Sequence, residues 1–315
     1  MSAGSRPAPA VAVQPRRRRT FRVNAALLAM TVPGLIVLFV FSYLPMSGIV
    51  IAFKNYRAVD GLFGSAWAGL RNFEFLFASG AAWRITWNTL YLNAVFIVTT
   101  LICALALAVM LHEVRARSRV RAGLYQTALF FPYFISYVIV AYFVYALLNP
   151  TSGLVNKTFG THLDWYAEPS AWPIILTLVA LWKGVGFSTL IYLSGILGIG
   201  DEYYEAAALD GATKWQQLRF ITLPFLAPLI TITVLLGVAR IFFADFGLFF
   251  NVTRDSSLLY PTTDVIDTFV FRALRQLGDF GMAGAAALYQ SVMGFAIVLL
   301  ANWLVKRRDP DRSLF

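Results

Sequence analysis

Three charged residues lie inside long apolar runs of the chain. Lys183 interrupts the fourth such run, and Arg240 and Asp245 lie within the fifth. A charge is costly where such a run crosses a membrane, and it usually faces a polar interior or a water-filled cavity. We therefore predict that Lys183 and Arg240 face a solute pathway and bind hydroxyl groups or an acidic group of the solute. The alternative is that one of them pairs with an acid such as Asp245, or with a carbonyl, and holds the helices together.

Aromatic side chains lie close to these charges in the sequence. Trp182 precedes Lys183, Tyr192 follows it in the same run, and Phe246 follows Asp245. An aromatic face is a large apolar surface on which a sugar ring can stack, so these three residues join the candidate pathway. The alternative is that they pack against other helices or face lipid, as many aromatic side chains must in a chain with 16% aromatic residues.

Motifs for catalysis and cofactor binding are absent from the sequence. No Gly-x-x-x-x-Gly-Lys-Ser/Thr loop occurs, so the chain is not itself an ATPase. No Gly-x-Ser-x-Gly element occurs, and His112 and His162 are too far apart in the sequence to suggest a metal site. We therefore predict that this chain is not an enzyme and that it holds no metal or cofactor of its own.

The composition indicates an all-α integral membrane protein. Hydrophobic residues make up 59% of the chain and charged residues only 13%, whereas a soluble domain carries about a quarter charged residues. Continuous apolar runs of about 20 residues are typical of membrane helices. Barrel strands would instead show alternating runs of about 10 residues.

Six apolar segments are long enough to cross a membrane. They are predicted at about 25–53, 88–111, 124–148, 171–197, 224–250 and 282–305. The first is longer than one crossing needs, and we expect Pro45 and Gly48 to mark its end or a bend.

The distribution of Lys and Arg predicts the orientation of these six helices. An even number of crossings places both termini on one side, and that side carries 16 Lys and Arg in about 71 residues. The loops on the other side carry eight in about 88 residues. Because cytoplasmic loops are enriched in Lys and Arg, we predict cytoplasmic termini in a multi-pass protein of the bacterial inner membrane.

The ends of the chain are predicted to be tails. Residues 1–24 are rich in Pro, Ala and Arg and are predicted as a disordered basic cytoplasmic tail, and residues 309–315 as a cytoplasmic C-terminal tail. The membrane domain is predicted to span residues 25–308. The net charge of +10 does not indicate nucleic acid as a partner, because the basic residues flank the apolar runs.

The cytoplasmic loop at about 198–224 carries the most informative pattern. A helix is predicted over residues 201–210, with Asp201 as its N-cap and acidic residues in its first turn. Gly211 suits the left-handed residue that ends a helix, and Thr213 can cap the next one. Pro224 fits the first turn of the fifth membrane helix. A short helix joined in this way to a membrane helix could act as a lever for a soluble partner that grips it.

The same loop resembles a known family. Glu205-Ala206-Ala207, Asp210-Gly211-Ala212 and Ile221-x-Leu223-Pro224 resemble the EAA loop of permease subunits in type I ATP-binding-cassette importers. Further segments are similar to the oligosaccharide branch of that family, the LplB-type sugar permeases. They are Phe131-Pro132-Tyr133-Phe134-Ile135-Ser136, Leu181-Trp182-Lys183-Gly184, Tyr192-Leu193 and Asp264-Val265-Ile266-Asp267-Thr268-Phe269-Val270-Phe271-Arg272.

The resemblance implies a fold, a function and a set of partners. The fold would be the MetI-like permease fold, and the loop would contain the coupling helix that docks on an ATPase subunit. The expected function is import of an oligosaccharide by ATP-driven alternating access, and an acidic oligosaccharide would suit Lys183 and Arg240. The expected partners are a second, different permease subunit, two ATPase subunits that bind ATP and Mg, and an extracytoplasmic solute-binding protein.

Two other classes of membrane protein remain as alternatives. An ion-coupled secondary transporter predicts inverted repeats with broken helices at matching positions, and no convincing repeat is seen. A membrane-embedded enzyme would need reactive acids at the membrane boundary, and the candidates are Asp255, Asp264, Asp267 and Asp279. Capping, or an ion pair with Arg272, explains Asp264 and Asp267 more simply.

Overall fold

Helices account for most of the residues that the computed structural model describes, which are 25–74 and 80–308. The predicted tails at 1–24 and 309–315 lie outside these residues and stay predictions. The chain divides into two compact units between Ser47 and Gly48, and all the sites described below lie in the second unit.

The regular elements of the described residues follow in chain order. The α-helices are α1 (Ala25–Leu38), α2 (Gly61–Gly64), α3 (Gly80–Arg117), α4 (Arg119–Phe130), α5 (Tyr137–Leu148), α6 (Leu154–Phe159), α7 (Trp172–Leu197), α8 (Asp201–Leu209), α9 (Lys214–Gln217), α10 (Leu223–Ala239), α11 (Tyr260–Thr263), α12 (Ile266–Arg275) and α13 (Phe280–Arg308). The strands β1 (Lys54–Asn55) and β2 (Ala66–Trp67) form a short antiparallel pair.

Five helical stretches of the described residues are long and apolar enough to cross a membrane. They are Leu28–Phe53, Gly80–Arg117, Pro169–Leu197, Lys214–Ala239 and Phe280–Arg307. Arg119–Phe134 and Tyr137–Leu148 reach that length only together, and they are bent by 97°. The six predicted crossings are therefore present as five helices and one bent pair.

The first membrane helix does not end where the sequence suggested. Helical residues continue through Pro45 and Gly48 to Phe53, in 3₁₀ geometry over Leu44–Phe53. A π-helical turn, Phe39–Tyr43, precedes this stretch. Pro45 cannot donate a helical hydrogen bond, and it lies where the geometry changes from π-helical to 3₁₀.

The third predicted helix, 124–148, is broken rather than continuous. Helix α4 gives way to a 3₁₀ turn, Phe131–Phe134, that contains Pro132. Helix α5 then begins after Ser136, whose Oγ accepts a hydrogen bond from the backbone N–H of Ile139 at 3.4 Å. Proline removes a helical donor and serine supplies an N-cap, so the two residues end one helix and start another.

The fifth predicted helix, 224–250, is also wrong as a continuous element. Helix α10 ends at Ala239, an irregular stretch follows, and a π-helical turn occupies Gly247–Val252. The backbone groups released by this break find partners from other helices. The amide of Asn93 donates to the carbonyl of Ile241 at 2.9 Å, and the amide of Gln290 donates to the carbonyl of Phe242 at 2.7 Å.

Helices α3 and α7 form the most extensive packing pair among the described elements. Gly186 on α7 also brings this helix very close to α4, because a Cβ there would overlap the carbonyl of Leu129. One buried cluster of apolar side chains surrounds Trp172 and Phe249. A second cluster includes Tyr192 and lies where α3, α7 and α10 meet.

The side chain of Gln290 generates a prediction about stability. Gln290→Met removes the donor to the buried carbonyl of Phe242, and an unsatisfied buried acceptor costs about 1–3 kcal/mol. We expect the Tm of the purified protein in detergent to fall by several degrees. Gln126→Met on α4 is the matched control, since the Gln126 amide makes no hydrogen bond within the described part of the chain. Equal Tm values for the two variants would contradict the prediction.

Candidate functional site

Helix α8 corresponds to the predicted coupling helix and covers Asp201–Leu209. Gly200, rather than Asp201, is the N-cap residue, so the predicted cap was wrong by one position. Asp201 and Glu202 instead lie in the first turn of the helix. There the carboxylates lie near the positive end of the helix dipole, which stabilises their negative charge although neither side chain caps the helix.

The turn after α8 has the predicted left-handed glycine. Gly211 has a φ of +78°. The N–H of Ala212 donates to the carbonyl of Ala207 at 2.8 Å, and the N–H of Gly211 donates to the carbonyl of Ala208 at 3.1 Å. This pair of bonds is a Schellman motif, which requires a left-handed residue at the Gly211 position and therefore favours glycine.

The chain then enters one long helical stretch, in which the π-helical turn Leu218–Thr222 joins α9 to α10. Thr213 and Gln216 form a capping box, in which the N–H of Thr213 donates to Gln216 Oε1 at 2.7 Å and the N–H of Gln216 donates to Thr213 Oγ1 at 3.3 Å. Helical residues continue from Lys214 to Ala239. At 1.5 Å per residue this stretch is about 39 Å long, and Pro224 lies in the first turn of α10 as predicted.

The surface of α8 is open to solvent in this chain, because none of its residues is buried. Leu209 is 90% exposed and Trp215, just after the turn, is 68% exposed. The predicted coupling residues divide into two groups. Glu205, Ala206, Asp210, Gly211 and Pro224 are exposed, and Ala207, Ala212 and Leu223 are half-buried.

Two polar contacts attach this segment to the rest of the molecule. The hydroxyls of Tyr204 and Thr222 are 3.0 Å apart, and Lys214 forms an ion pair with Glu113 of α3 at 3.0 Å. A cavity of about 680 Å³ lies between α8, α9 and the end of α3, and Glu205 lines it. The segment thus presents apolar and acidic groups outward from a fixed position.

Lys183 lies against the break between α4 and α5. Its ammonium donates to the carbonyls of Tyr133 at 2.7 Å, Ile135 at 2.6 Å and Pro132 at 3.4 Å. It also lies 5.0 Å from the centroid of the Tyr137 ring. Two roles were predicted for Lys183, binding of the solute and stabilisation of the helix bundle. This geometry favours the second role, in which the charge binds carbonyls and holds the helices together.

Arg240 lies at the end of α10, where the fifth membrane helix breaks. Because the helix ends at Ala239, Arg240 is not a residue within a continuous helix as the sequence suggested. Its side chain is exposed, and within the described part of the chain it forms no ion pair or hydrogen bond. The structure therefore leaves the guanidinium available to a ligand.

Asp245 does not form the predicted ion pair with either cation at a distance of 4 Å or less. Its carboxylate accepts a hydrogen bond from the N–H of Leu248 at 3.3 Å and so caps the π-helical turn. Phe246 stacks on Phe250 with ring centroids 4.9 Å apart, and both contact Phe271. These contacts show packing for Phe246, which was one of its two predicted roles.

The remaining pathway candidates, Trp182 and Tyr192, differ in exposure. Trp182 is 46% exposed, next to Lys183. Tyr192 is 4% exposed, and its hydroxyl is 2.7 Å from that of Thr233. Tyr192 therefore packs between α7 and α10, although it also lines a cavity of about 260 Å³, and its place in the pathway stays a prediction.

Three residues hold the second break, a role that was predicted from the sequence for none of them. Besides the amides of Asn93 and Gln290, the carboxylate of Asp267 accepts a hydrogen bond from the N–H of Ala244 at 2.8 Å. Gln290 also donates to Asp267 at 3.0 Å. A buried amide in an apolar helix was the signal available for Asn93 and Gln290, because such a group needs a partner.

A second polar cluster fixes the loop after the π-helical turn. Arg272 forms ion pairs with Asp264 at 2.5 Å and with Asp255 at 3.2 Å, which confirms the simpler interpretation of Asp264. Burial disfavours the charge of Arg272, but its attraction to Asp264, Tyr260 and Asp255 together outweighs that effect and raises the pKa of the guanidinium. Arg272 therefore stays charged, and the acids of this cluster serve structure.

Comparison with curated proteins gives two relatives that match along most of the chain. The polygalacturonan/rhamnogalacturonan transport system permease protein YteP of Bacillus subtilis (strain 168) is 32% identical over 89% of this chain and 88% of its own length. Protein LplB of the same organism is 28% identical over 90% of both chains.

Comparison with solved structures gives the same fold. The chain matches a bacterial ABC transporter involved in the import of the acidic polysaccharide alginate with a TM-score of 0.81 and 32% identity, covering 90% of this chain and 96% of the other. It matches the same kind of transporter in complex with an alginate pentasaccharide-bound periplasmic protein with a TM-score of 0.80.

These similarities confirm the predicted all-α membrane fold of MetI-like permeases. Residues 101–310, about two thirds of the chain, match the family described as binding-protein-dependent transport system inner membrane components. The chain therefore belongs to this family of transporter permeases.

Proposed function

We propose that this chain is one permease half of an ATP-driven importer that moves acidic oligosaccharides across the bacterial inner membrane. Family membership supports the transport role. The relative named for polygalacturonan and rhamnogalacturonan and the alginate transporter both handle acidic polymers by their descriptions, which supports the substrate class. Neither the ion-coupled transporter nor the membrane-embedded enzyme receives support from these similarities.

The proposed assembly contains four further subunits. A second, different permease completes the pathway, two ATPase subunits bind ATP and Mg, and an extracytoplasmic binding protein delivers the solute. The alginate transporter bound to its periplasmic protein supports the last of these. The higher density of Lys and Arg on the side of α8 supports cytoplasmic termini and places α8 where an ATPase can reach it.

One observation carries the proposal. The helical stretch Lys214–Ala239 begins at the turn after α8 and ends at Arg240, beside the break in the fifth helix. A displacement of α8 by an ATPase would be passed along this stretch, because it stays helical from Lys214 to Ala239, through the π-helical turn Leu218–Thr222 and past Pro228. The coupling segment and the candidate solute site therefore lie at the two ends of one continuous helical stretch.

The proposal gives Lys183 and Arg240 different roles, and their contacts support this division. Arg240 is the solute-binding cation, since its guanidinium is exposed and its forked donors match a carboxylate. Lys183 is a positioning residue, since its donors are directed to the carbonyls of the first break. During alternating access, Arg240 would move with α10, while Lys183 would hold the geometry of the break between α4 and α5.

The coupling role predicts a loss of ATPase binding when the turn is changed. Gly211→Pro fixes φ near −65° and removes the N–H that bonds Ala208, so the Schellman turn cannot form. We expect the variant to insert into the membrane but to lose most of the copurifying ATPase. Gly278→Pro is the control, because Gly278 also has a positive φ but lies in the loop before α13. Full retention of the ATPase by Gly211→Pro would reject α8 as the docking helix.

Glu205→Arg tests the same surface without altering the backbone. It reverses an exposed charge on α8, and we expect it to weaken ATPase copurification in the same way. Retention by both variants would move docking to another part of the cytoplasmic face.

The positioning role of Lys183 predicts an effect on assembly. Lys183→Met keeps the length of the side chain but leaves the carbonyls of Tyr133 and Ile135 without their donor. We expect a lower yield of assembled complex and an unchanged ATP-driven uptake rate per assembled complex. A normal yield with a lower uptake rate per complex would instead place Lys183 in the pathway.

The solute-binding role of Arg240 predicts a charge-selective loss of transport. Arg240→Gln should lower uptake of trigalacturonate per complex about tenfold, the factor expected when one charge-assisted hydrogen bond is lost. Uptake of the methyl-esterified trimer, which lacks the carboxylates, should not change. Arg71→Gln is the matched control, because Arg71 is exposed in the loop before α3. Equal losses for the two trimers would contradict charge recognition by Arg240.

A further inference from the structure

A second cavity shares no lining residue with the cavity beside α8. Helix α5 and the π-helical turn Gly247–Val252 form its sides, and its volume is about 240 Å³. This is below the range of roughly 300–1,000 Å³ for drug-sized ligands and suits a single sugar ring. Its principal lining residues are Tyr142, Tyr145, Phe250, Asn251, Arg254 and Asp255.

The charge in this cavity belongs to Arg254. Its guanidinium lies 4.1 Å from the centroid of the Tyr145 ring, and no hydrogen bond or ion pair within the described residues uses its donors. The neighbouring acid, Asp255, is already engaged by Arg272 at 3.2 Å and by the hydroxyl of Tyr260 at 3.0 Å. The donors of the Arg254 guanidinium therefore remain open at the cavity.

The backbone at this position is strained and firmly held. Arg254 and Asp255 have φ values of 56° and 48°, and they are the non-glycine residues with positive φ in the described chain. Successive left-handed residues other than glycine are rare, and such strain concentrates at sites where function requires a particular presentation of a side chain. The ion pair of Asp255 with Arg272 holds this conformation and so keeps Arg254 at the cavity.

The walls add the features that sugar recognition needs. Tyr142 is 72% exposed and offers an apolar face on which the C–H face of a sugar ring can lie. The amide nitrogen of Asn251 donates to the carbonyl of Gly247 at 3.0 Å, and its amide oxygen can accept a hydrogen bond from a hydroxyl at the same cavity. A guanidinium beside them can bind a carboxylate through two parallel hydrogen bonds.

We propose that this cavity is an entry subsite that binds one uronate residue of the incoming oligosaccharide, with Arg254 on its carboxylate and Tyr142 against its ring. The inference rests on the proposed function, because it places a second contact for the same class of solute ahead of Arg240. Arg254 contacts Tyr145 in the last turn of α5, and Arg240 directly follows the last residue of α10. An acidic chain with several carboxylates could contact both.

The test uses the complete complex in proteoliposomes with its binding protein at saturating load. ATP-driven uptake per complex is measured for trigalacturonate and for its methyl ester. Arg254→Gln should lower uptake of the acid about tenfold and leave the ester unchanged, the loss expected for one charge-assisted contact. Arg254→Lys should lose less, since it keeps the charge but not the fork. Arg275→Gln, which removes an exposed charge on α12, should behave as wild type.

The outcomes separate this subsite from the proposed function. An Arg254→Gln complex that transports both trimers at the wild-type rate, or loses both equally, overturns the subsite and makes Arg254 a packing group on Tyr145. A lower yield of Arg254→Gln complex with unchanged uptake per complex overturns it too. If the wild-type complex does not prefer the acid over the ester, the proposed substrate class fails first, whatever the variants do.

Discussion

The need to satisfy backbone polar groups away from water governs this structure. A membrane helix does so within itself, and any break must borrow partners from elsewhere because each unsatisfied group costs several kcal/mol. Two of the membrane segments are broken, and polar side chains from other helices supply the missing partners. Lys183 binds the carbonyls of the first break, and Asn93, Asp267 and Gln290 bind the backbone of the second.

This arrangement gives the breaks defined positions and connects them to the cytoplasmic segment. The second break lies at the end of the helical stretch that starts beside α8, so a movement of α8 reaches it over about 39 Å without passing through a loop. The partners of this break lie on α3, α12 and α13, which are separate elements. A movement of α10 would therefore act directly on hydrogen bonds that join this break to three other helices.

Local signals made the coupling segment predictable, whereas the breaks depended on distant residues. Gly211, Thr213 and Pro224 have the predicted roles because a left-handed turn, a cap and a first-turn proline are set by neighbouring residues. The run 224–250 looks like one continuous helix in the sequence, because a residue that stabilises its break is not nearby. Asn93 precedes Ile241, whose carbonyl it binds, by 148 residues. The first break did have a local signal in Pro132 and Ser136. The segment was nevertheless predicted as one helix, because its apolar run is long enough to cross a membrane.

The contrast between Lys183 and Arg240 shows what a charge in an apolar segment does and does not indicate. Each of the two residues interrupts an apolar run of the sequence. In the fold, Lys183 donates to three backbone carbonyls, whereas the guanidinium of Arg240 forms no hydrogen bond or ion pair with the described residues. An ammonium is a compact charge that can point its donors at several converging carbonyls, whereas a guanidinium is a rigid fork suited to a carboxylate. The type of cation therefore agrees with the surroundings of each residue, and a binding role follows only where the fold leaves the donors open.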